Sequence, residues 1–504
     1  MHIEIMDTTL RDGEQTSGVS FSAHEKLSMA KILVESVKVD RIEVASARVS
    51  DGEFEGVKAI TAWAKKHGHL DKVEVLGFCD GKVSVDWITS AGGRVINLLA
   101  KGSQRHVELQ LRKTPEQHLA DIKELIAYAD SQNVDVNIYL EDWSNGMISS
   151  PDYVFFMVDG LKETSIKRFM LPDTLGILNP DQTLDFCSQM VERYPDLWFD
   201  FHAHNDYDLA AANVFSAVKA KIHGIHATVN GMGERAGNVP LSSVIGVVHD
   251  QLKESTNIEE TAINKVSRIV ETYSGVRIPA NKPVIGEFVF TQTAGIHADG
   301  DSKDNLYYNG LLPERFGRTR EYALGKTSGK ANIQKNLEDL GISLDDADLK
   351  RVTNKIIELG DKKERVTKED LPFIIADVLG DAAVNHGIEV VNYSLSLTQG
   401  LNPVATVRLS VQGEFYQATS IGDGQYNAFV RALWKIYNRL DKPHPHLVDY
   451  SVTIPPGGRT DALVEATILW EFNGKQFKTR GLDVDQTEAA IKATIKVLNI
   501  IEEF

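Results

Sequence analysis

The chain has 504 residues, 42% of them apolar and 25% charged, with a formal net charge of -17. That length exceeds one compact core, so two or three domains are expected, and the acidic balance excludes a nucleic-acid binder, which needs clustered Lys and Arg. Two distant cysteines, Cys79 and Cys187, exclude a disulfide framework, and without a leader-like opening or a run near the ~20 apolar residues of a membrane span, a cytoplasmic protein with no membrane partner is expected.

The first 265 residues repeat one pattern, a short β-branched run followed by a longer amphipathic one. The strand candidates in order are Ile3–Met6, Arg41–Ala45, Val73–Phe78, Val95–Ala100, Val134–Leu140, Arg168–Leu171, Leu197–His202 and Ile225–Val229. Helix-period stretches such as Ala23–Val37, Thr114–Gln132 and Asp206–Ala220 lie between them. Eight strands alternating with helices predict an α/β fold, and that number in this length suits a closed (β/α)8 TIM barrel. Strand one is not followed by a Gly-x-Gly-x-x-Gly, which argues against a dinucleotide site.

From 266 to 330 the pattern gives way to a Gly-, Asn-, Asp- and Thr-rich stretch, read as a linker subdomain with ordered functional loops. Helical periodicity returns over 331–380. The last segment, 385–504, contains an internal repeat at an offset of 61 residues, pairing Gly413 with Gly474, Ala428 with Ala489, Ala432 with Ala493 and Lys435 with Lys496. Each copy reads as strands, a turn and an amphipathic helix, which predicts a pseudo-symmetric α+β domain.

Barrel enzymes carry their chemistry at the C-terminal ends of the strands. Polar groups collect there: Arg11 and Asp12 after strand one, Tyr139 and Glu141 at strand five, Thr174 after strand six, His202 and His204 at strand seven, Asn238 after strand eight. His202 and His204, two apart, share a face of their strand and can reach one ion. Asp12 supplies a hard oxygen from a strand separated from theirs only by strand eight, and Asn238 can complete the site. Mixed nitrogen and oxygen ligands with room for substrate suit Zn, Mn or Mg. Arg11, beside Asp12, can stabilise an enolate or alkoxide oxygen, or be held in a salt bridge to Asp7 or Glu43.

DTTLRDGEQ, FHAHNDYDLAAAN and NGMGERAGN together resemble the acetyl-CoA-dependent 2-oxo acid condensing enzymes, the isopropylmalate, homocitrate and citramalate synthases. Related barrel lyases and biotin-dependent carboxyltransferases share the first motif but lack GEFVFTQTAGIHADG and the C-terminal repeat with IPPGGRTDALVE. Within the family, VSFSAHEKL, RIEVASARVS, VLGFCDG, INLLAKGS, IYLEDWSNG and LPERFGR resemble bacterial (R)-citramalate synthases most. The resemblance implies condensation of acetyl-CoA with pyruvate, the alternative being 2-oxoisovalerate as in 2-isopropylmalate synthase. It puts Asp12, His202, His204 and Asn238 on a divalent metal and Thr174 on the substrate carboxylate. Leu76, Leu99 and Tyr139 fill the space an isopropyl group needs. Glu141 and His297 are the base or relay, His297 being supplied by the partner subunit of a homodimer. Asp299, Asn305, Leu306 and Tyr307 fall on the acetyl-CoA side, Tyr307 with a catalytic part. The C-terminal domain resembles a dimerising regulatory domain for a branched-chain amino acid, with Tyr426, Asn427, Leu447, Tyr450, Ile454, Thr460, Val464 and Gln486 at ligand-lining positions. Asn427 stands where the family pattern suggests Asp, which weakens capture of an ammonium group.

Overall fold

The structure, a computed structural model, describes residues 1–301, 303, 306–307, 309–361, 366–379, 388–453 and 464–502. It divides into two compact units, Met1–Thr291 with Tyr307–Glu321, and Gln292–Leu306 with Tyr322–Phe504.

The first unit is built on a closed parallel barrel of eight strands in sequence order. They are β1 (Glu4–Asp7), β2 (Arg41–Ser46), β3 (Val73–Phe78), β4 (Val95–Lys101), β5 (Asp135–Glu141), β6 (Arg168–Asp173), β7 (Phe199–Ala203) and β8 (Gly224–Ala227). Every strand expected from sequence is present, with ends shifted by two residues or fewer. Helices start where the chain offers caps. Ser22 with Glu25, Thr114 with Gln117 and Asn179 with Gln182 each close a reciprocal capping box, the last two with Pro at the first helical position.

Three details differ from the sequence reading. The helix expected over 206–220 runs Ala210–Lys219, because Asp208 takes a left-handed conformation and Asn205 Oδ1 accepts the Ala210 amide, holding a turn ahead of the helix. The helix expected over 23–37 is α-helical over Ala23–Lys31 and widens over Ile32–Val37, ending on left-handed Lys38. The boundary at 265 falls inside the helix Ile263–Ser274, whose Ile263, Val266 and Val270 are buried in the core of this unit.

One set of strand residues faces the helices. Ile5, Ile42, Val75, Leu98, Ile138, Leu171, Phe201 and Ile225 join the main apolar core. The alternate set forms a polar interior, where barrels ordinarily stack branched apolar side chains. Arg41 on β2 pairs with Glu74 of β3 (3.1 Å), Asp200 of β7 (2.5 Å) and Glu4 of β1 (3.5 Å). Asn97 donates to Glu43 (2.8 Å), and Asn137 donates to Asn97 (3.0 Å). Buried charge is tolerated here because each group finds an opposite charge or a donor.

In the second unit, helices Lys330–Asp339, Asp346–Asp361 and Leu371–Leu379 share a small core around Ile333, Leu337, Val352 and Ile356. Two antiparallel sheets follow, Ile388–Ser396, Val404–Val411 and Glu414–Ile421, then His446–Thr453, Val464–Phe472 and Lys475–Asp483. Each leads into a helix, Gln425–Arg439 and Gln486–Glu502. The repeat read from sequence is therefore a structural one. Its hairpins turn on Gln412–Gly413 and Asn473–Gly474, all four residues at positive φ, the geometry that matches strand twist. Ala428, Ala432, Ala489 and Ala493 are fully buried, so both helices lie close on their sheets.

Candidate active site

The mouth of the barrel is shaped by two turns. After β1, the Thr8 carbonyl accepts the amides of Arg11, Asp12 and Gly13, and this tight turn swings Arg11 and Asp12 over the strand ends. Thr9 fixes the turn by donating to Asp7 from its amide and hydroxyl while accepting the Val229 amide of the strand-eight side. After β8, the loop NGMGERAGN folds back on β7, with the Asn205 amide on Gly237 O (2.9 Å) and the Val239 amide on Ala203 O (3.0 Å). Two glycines make this possible. A side chain at Gly233 collides with the Asn238 amide group, and one at Gly237 collides with the Gly231 carbonyl, both residues being at positive φ. The fold-back brings Asn238 into a backbone bridge with His204.

Asp12, His202 and His204 offer ligand atoms all within 4.8 Å of one another, and all three side chains are buried. Asp12 Oδ2 is 3.1 Å from His202 Nε2 and 3.8 Å from His204 Nε2. Burial opposes the Asp12 charge, but Arg11 and the hydrogen bond from His202 outweigh it and hold the carboxyl well below the usual carboxylate range. Burial, with the neighbouring His202, lowers His204 to about 4, which keeps its lone pair free near neutrality. Asp12 Oδ1 and Asn238 Oδ1 are buried acceptors with no donor among the described residues, while Asn238 Nδ2 is spent on the Met232 carbonyl (3.0 Å). Orphaned oxygens beside two imidazoles are what a divalent cation satisfies, so the donor set fits a metal.

Arg11 is fixed by Glu43 (2.5 Å) and Asp12 (3.3 Å), and lies 3.5 Å from the Tyr139 hydroxyl. Of the two acids expected from sequence, Glu43 is its partner, and the residue stands beside the candidate metal cluster. Leu76, Tyr139, Met6 and Met170 form a separate buried apolar cluster inside the barrel, with Leu99 packed against it. Tyr139 packs edge-on against His202 (ring centroids 6.0 Å apart), placing this wall beside the His pair. The Thr174 hydroxyl accepts the Asp142 amide (2.9 Å), leaving its own proton to donate. Glu141 at the end of β5 is ion-paired with Lys101 at the end of β4.

Sequence reasoning passed over Lys101, and also His226, whose Nδ1 lies 3.1 Å from the Tyr139 hydroxyl and whose Nε2 lies 3.2 Å from Asp200. Lys101 and His226 sit at inward positions, two residues from Leu99 and Gly224 respectively, so period-two counting along β4 and β8 finds them.

A family profile described as HMGL-like matches residues 2–270, one described as homocitrate synthase post-HMGL domain-like matches 284–364, and the LeuA allosteric (dimerisation) domain matches 365–502. A putative (R)-citramalate synthase of Methanopyrus kandleri is 33% identical over 92% of this chain and 89% of its own length. The (R)-citramalate synthase of Methanocaldococcus jannaschii is 32% identical over 99% of this chain and 100% of its own. A probable 2-isopropylmalate synthase of Methanopyrus kandleri is 33% identical over 99% and 98%. The chain belongs to the citramalate and 2-isopropylmalate synthase family.

As a member of that synthase family it is an enzyme, a condensing acyltransferase. No helix among the described residues of this synthase is long and apolar enough to cross a membrane. His297, Asp299 and Leu306 lie in its second unit, His297 half-buried on the helix Gly295–Asp301 and Leu306 exposed. Asn305 lies outside the described residues, and Tyr307 is an exposed residue of the first unit. In the C-terminal domain, Tyr426 stacks on Tyr450 (5.3 Å) and shares a hydrogen bond with Thr494 (2.7 Å), so the two halves of the repeat meet at these rings. Asn427, Leu447 and Gln486 are exposed and Val464 is buried, while Ile454 and Thr460 lie outside the described residues.

Proposed function

We propose that this enzyme condenses acetyl-CoA with pyruvate, water then cleaving the thioester, to give (R)-citramalate and CoA, the first step of a pyruvate route to isoleucine. The observation that carries this reading is the buried apolar cluster of Met6, Leu76, Tyr139 and Met170, with Leu99 against it, whose Tyr139 ring touches His202 of the Asp12, His202 and His204 cluster. A methyl ketone fits beside such a wall, and two further methyls overfill it.

Asp12, His202, His204 and Asn238 would hold a divalent cation, which when bound supplies Lewis acidity toward the keto group. The Thr174 hydroxyl donates to the substrate carboxylate. Arg11, its guanidinium fixed by Glu43 and Asp12, presents its remaining N–H edge to oxygen charge developing during condensation. Glu141, with Lys101 as counter-ion, and His297, supplied by a second copy of the chain, move the proton lost from the acetyl methyl, with Asp299, Asn305, Leu306 and Tyr307 on the acetyl-CoA side. The C-terminal domain pairs two chains and senses a branched-chain amino acid, the Tyr426–Tyr450 stack lying at the meeting of its halves.

The other reading is a 2-isopropylmalate synthase, favoured by the 33% identity to a relative so named. Thiol release from acetyl-CoA, measured with pyruvate and with 2-oxoisovalerate, separates the two. A higher kcat/KM for 2-oxoisovalerate overturns the pyruvate assignment.

A further inference from the structure

The loop 230–237 and the segment 276–282 enclose a cavity of about 250 Å3, with Thr16 on its wall. It adjoins the candidate site. Gly233, on its lining, packs against the side chain of Asn238, and Arg235 donates to the Thr174 carbonyl (2.7 Å).

Three cations line this space, Arg235, Arg277 and Lys282. Arg235 is spent, held by Asp206 (2.8 and 3.0 Å) and by Glu234 (3.3 Å). Lys282 is different. It is half-buried, and its ammonium has no ion pair or hydrogen bond among the described residues. Burial lowers its pKa, and Asp208, the acid that opposes this, acts from beyond ion-pair range. The left-handed backbone at Asn230, Gly231, Arg235 and Gly237 curls the loop around the cavity, and Gly231 keeps its wall thin next to the Lys282 ammonium. Asn230 leaves its side-chain oxygen buried with no donor among the described residues. A half-buried ammonium without a counter-ion is held at an electrostatic disadvantage that an incoming anion removes. Curled, glycine-rich backbone accommodates phosphate oxygens at close range.

We propose that this cavity is the phosphate subsite for the acyl-CoA, with Lys282 as the counter-ion of its phosphates and Arg277 beside it. The inference rests on the acetyl-CoA reading given above. The anion is the CoA nucleotide rather than the 2-oxo acid because Thr174 and the Asp12 cluster already receive the latter's carboxylate and keto oxygens. Asn230 suits the amide N–H groups that the pantetheine arm carries, which free phosphate lacks.

The test compares acetyl-CoA with S-acetyl-pantetheine, which has the thioester but no nucleotide phosphates. In the full-length wild type, kcat/KM favours acetyl-CoA. In Lys282→Gln this preference falls by about tenfold or more, the usual worth of a charge-assisted hydrogen bond. Lys282→Arg keeps it within about threefold. Isothermal titration with CoA alone reads the same loss of affinity without turnover. An unchanged preference in Lys282→Gln, or an equal fall with both donors, overturns the subsite. A wild type that releases no thiol with any 2-oxo acid instead overturns the condensing reading on which it stands.

Discussion

Replacing Leu99 with Ala should turn the enzyme toward a larger ketone. Leu99 on β4 is the register neighbour of Tyr139 on β5 and packs against the buried Met6, Leu76, Tyr139 and Met170. 2-Oxoisovalerate exceeds pyruvate by two methyl groups. At about 0.8 kcal/mol per buried carbon, relief of their exclusion is worth about 1.6 kcal/mol, or about fifteenfold in relative kcat/KM. Because Leu99 is only partly buried, the stability cost stays below the ~2.7–5 kcal/mol of fully buried Leu→Ala changes, at about 1–2 kcal/mol. The assay is thiol release with each 2-oxo acid, run beside thermal unfolding. A pyruvate-to-2-oxoisovalerate ratio within threefold of wild type means that Leu99 does not face the ketone, and the wall argument then collapses.

Chelation should abolish thiol release and a divalent cation should restore it, while His204→Ala lowers metal affinity by about a hundredfold or more, read as metal content by mass spectrometry. Burial lowers His226 to about 3, so below pH 6.5 the unfolded chain takes up a proton that the folded one refuses, and stability falls with pH through that window. Replacement by Gln removes this slope: its destabilisation relative to wild type shrinks by about 2 kcal/mol between pH 6.5 and 4.5, and a pH-independent difference in denaturant midpoints refutes the assignment. Gly481→Ala drives a methyl into the Ala489 carbonyl of the helix packed on its sheet, and should destabilise the C-terminal domain by about 2–3 kcal/mol in calorimetry.

Much of this molecule could be read in advance. Strands such as Val73–Phe78 announce themselves because buried parallel strands are continuous β-branched runs, and His202 with His204 declares a shared face by spacing alone. The polar interior was less legible. A strand buried on both sides shows no contrast between inward and outward residues, and only the register of neighbours reveals that Glu43, Asn97 and Asn137 form one chain of hydrogen bonds. The Lys101–Glu141 pair depends on the same cross-strand alignment. The delayed start of the helix at Ala210 came from one left-handed aspartate, which propensity does not foresee.

The Arg41 guanidinium acts as a cross-brace. From β2 it grips acids on β1, β3 and β7 at once. Loosening β3 or β7 strands a buried ion in a dry interior, so the amide protons of the strands that Arg41 joins there should exchange as one block. The stave that leads to Asp12 and the stave that carries the histidines are thereby tied from underneath, and the spacing within that cluster is set by a residue that never touches it.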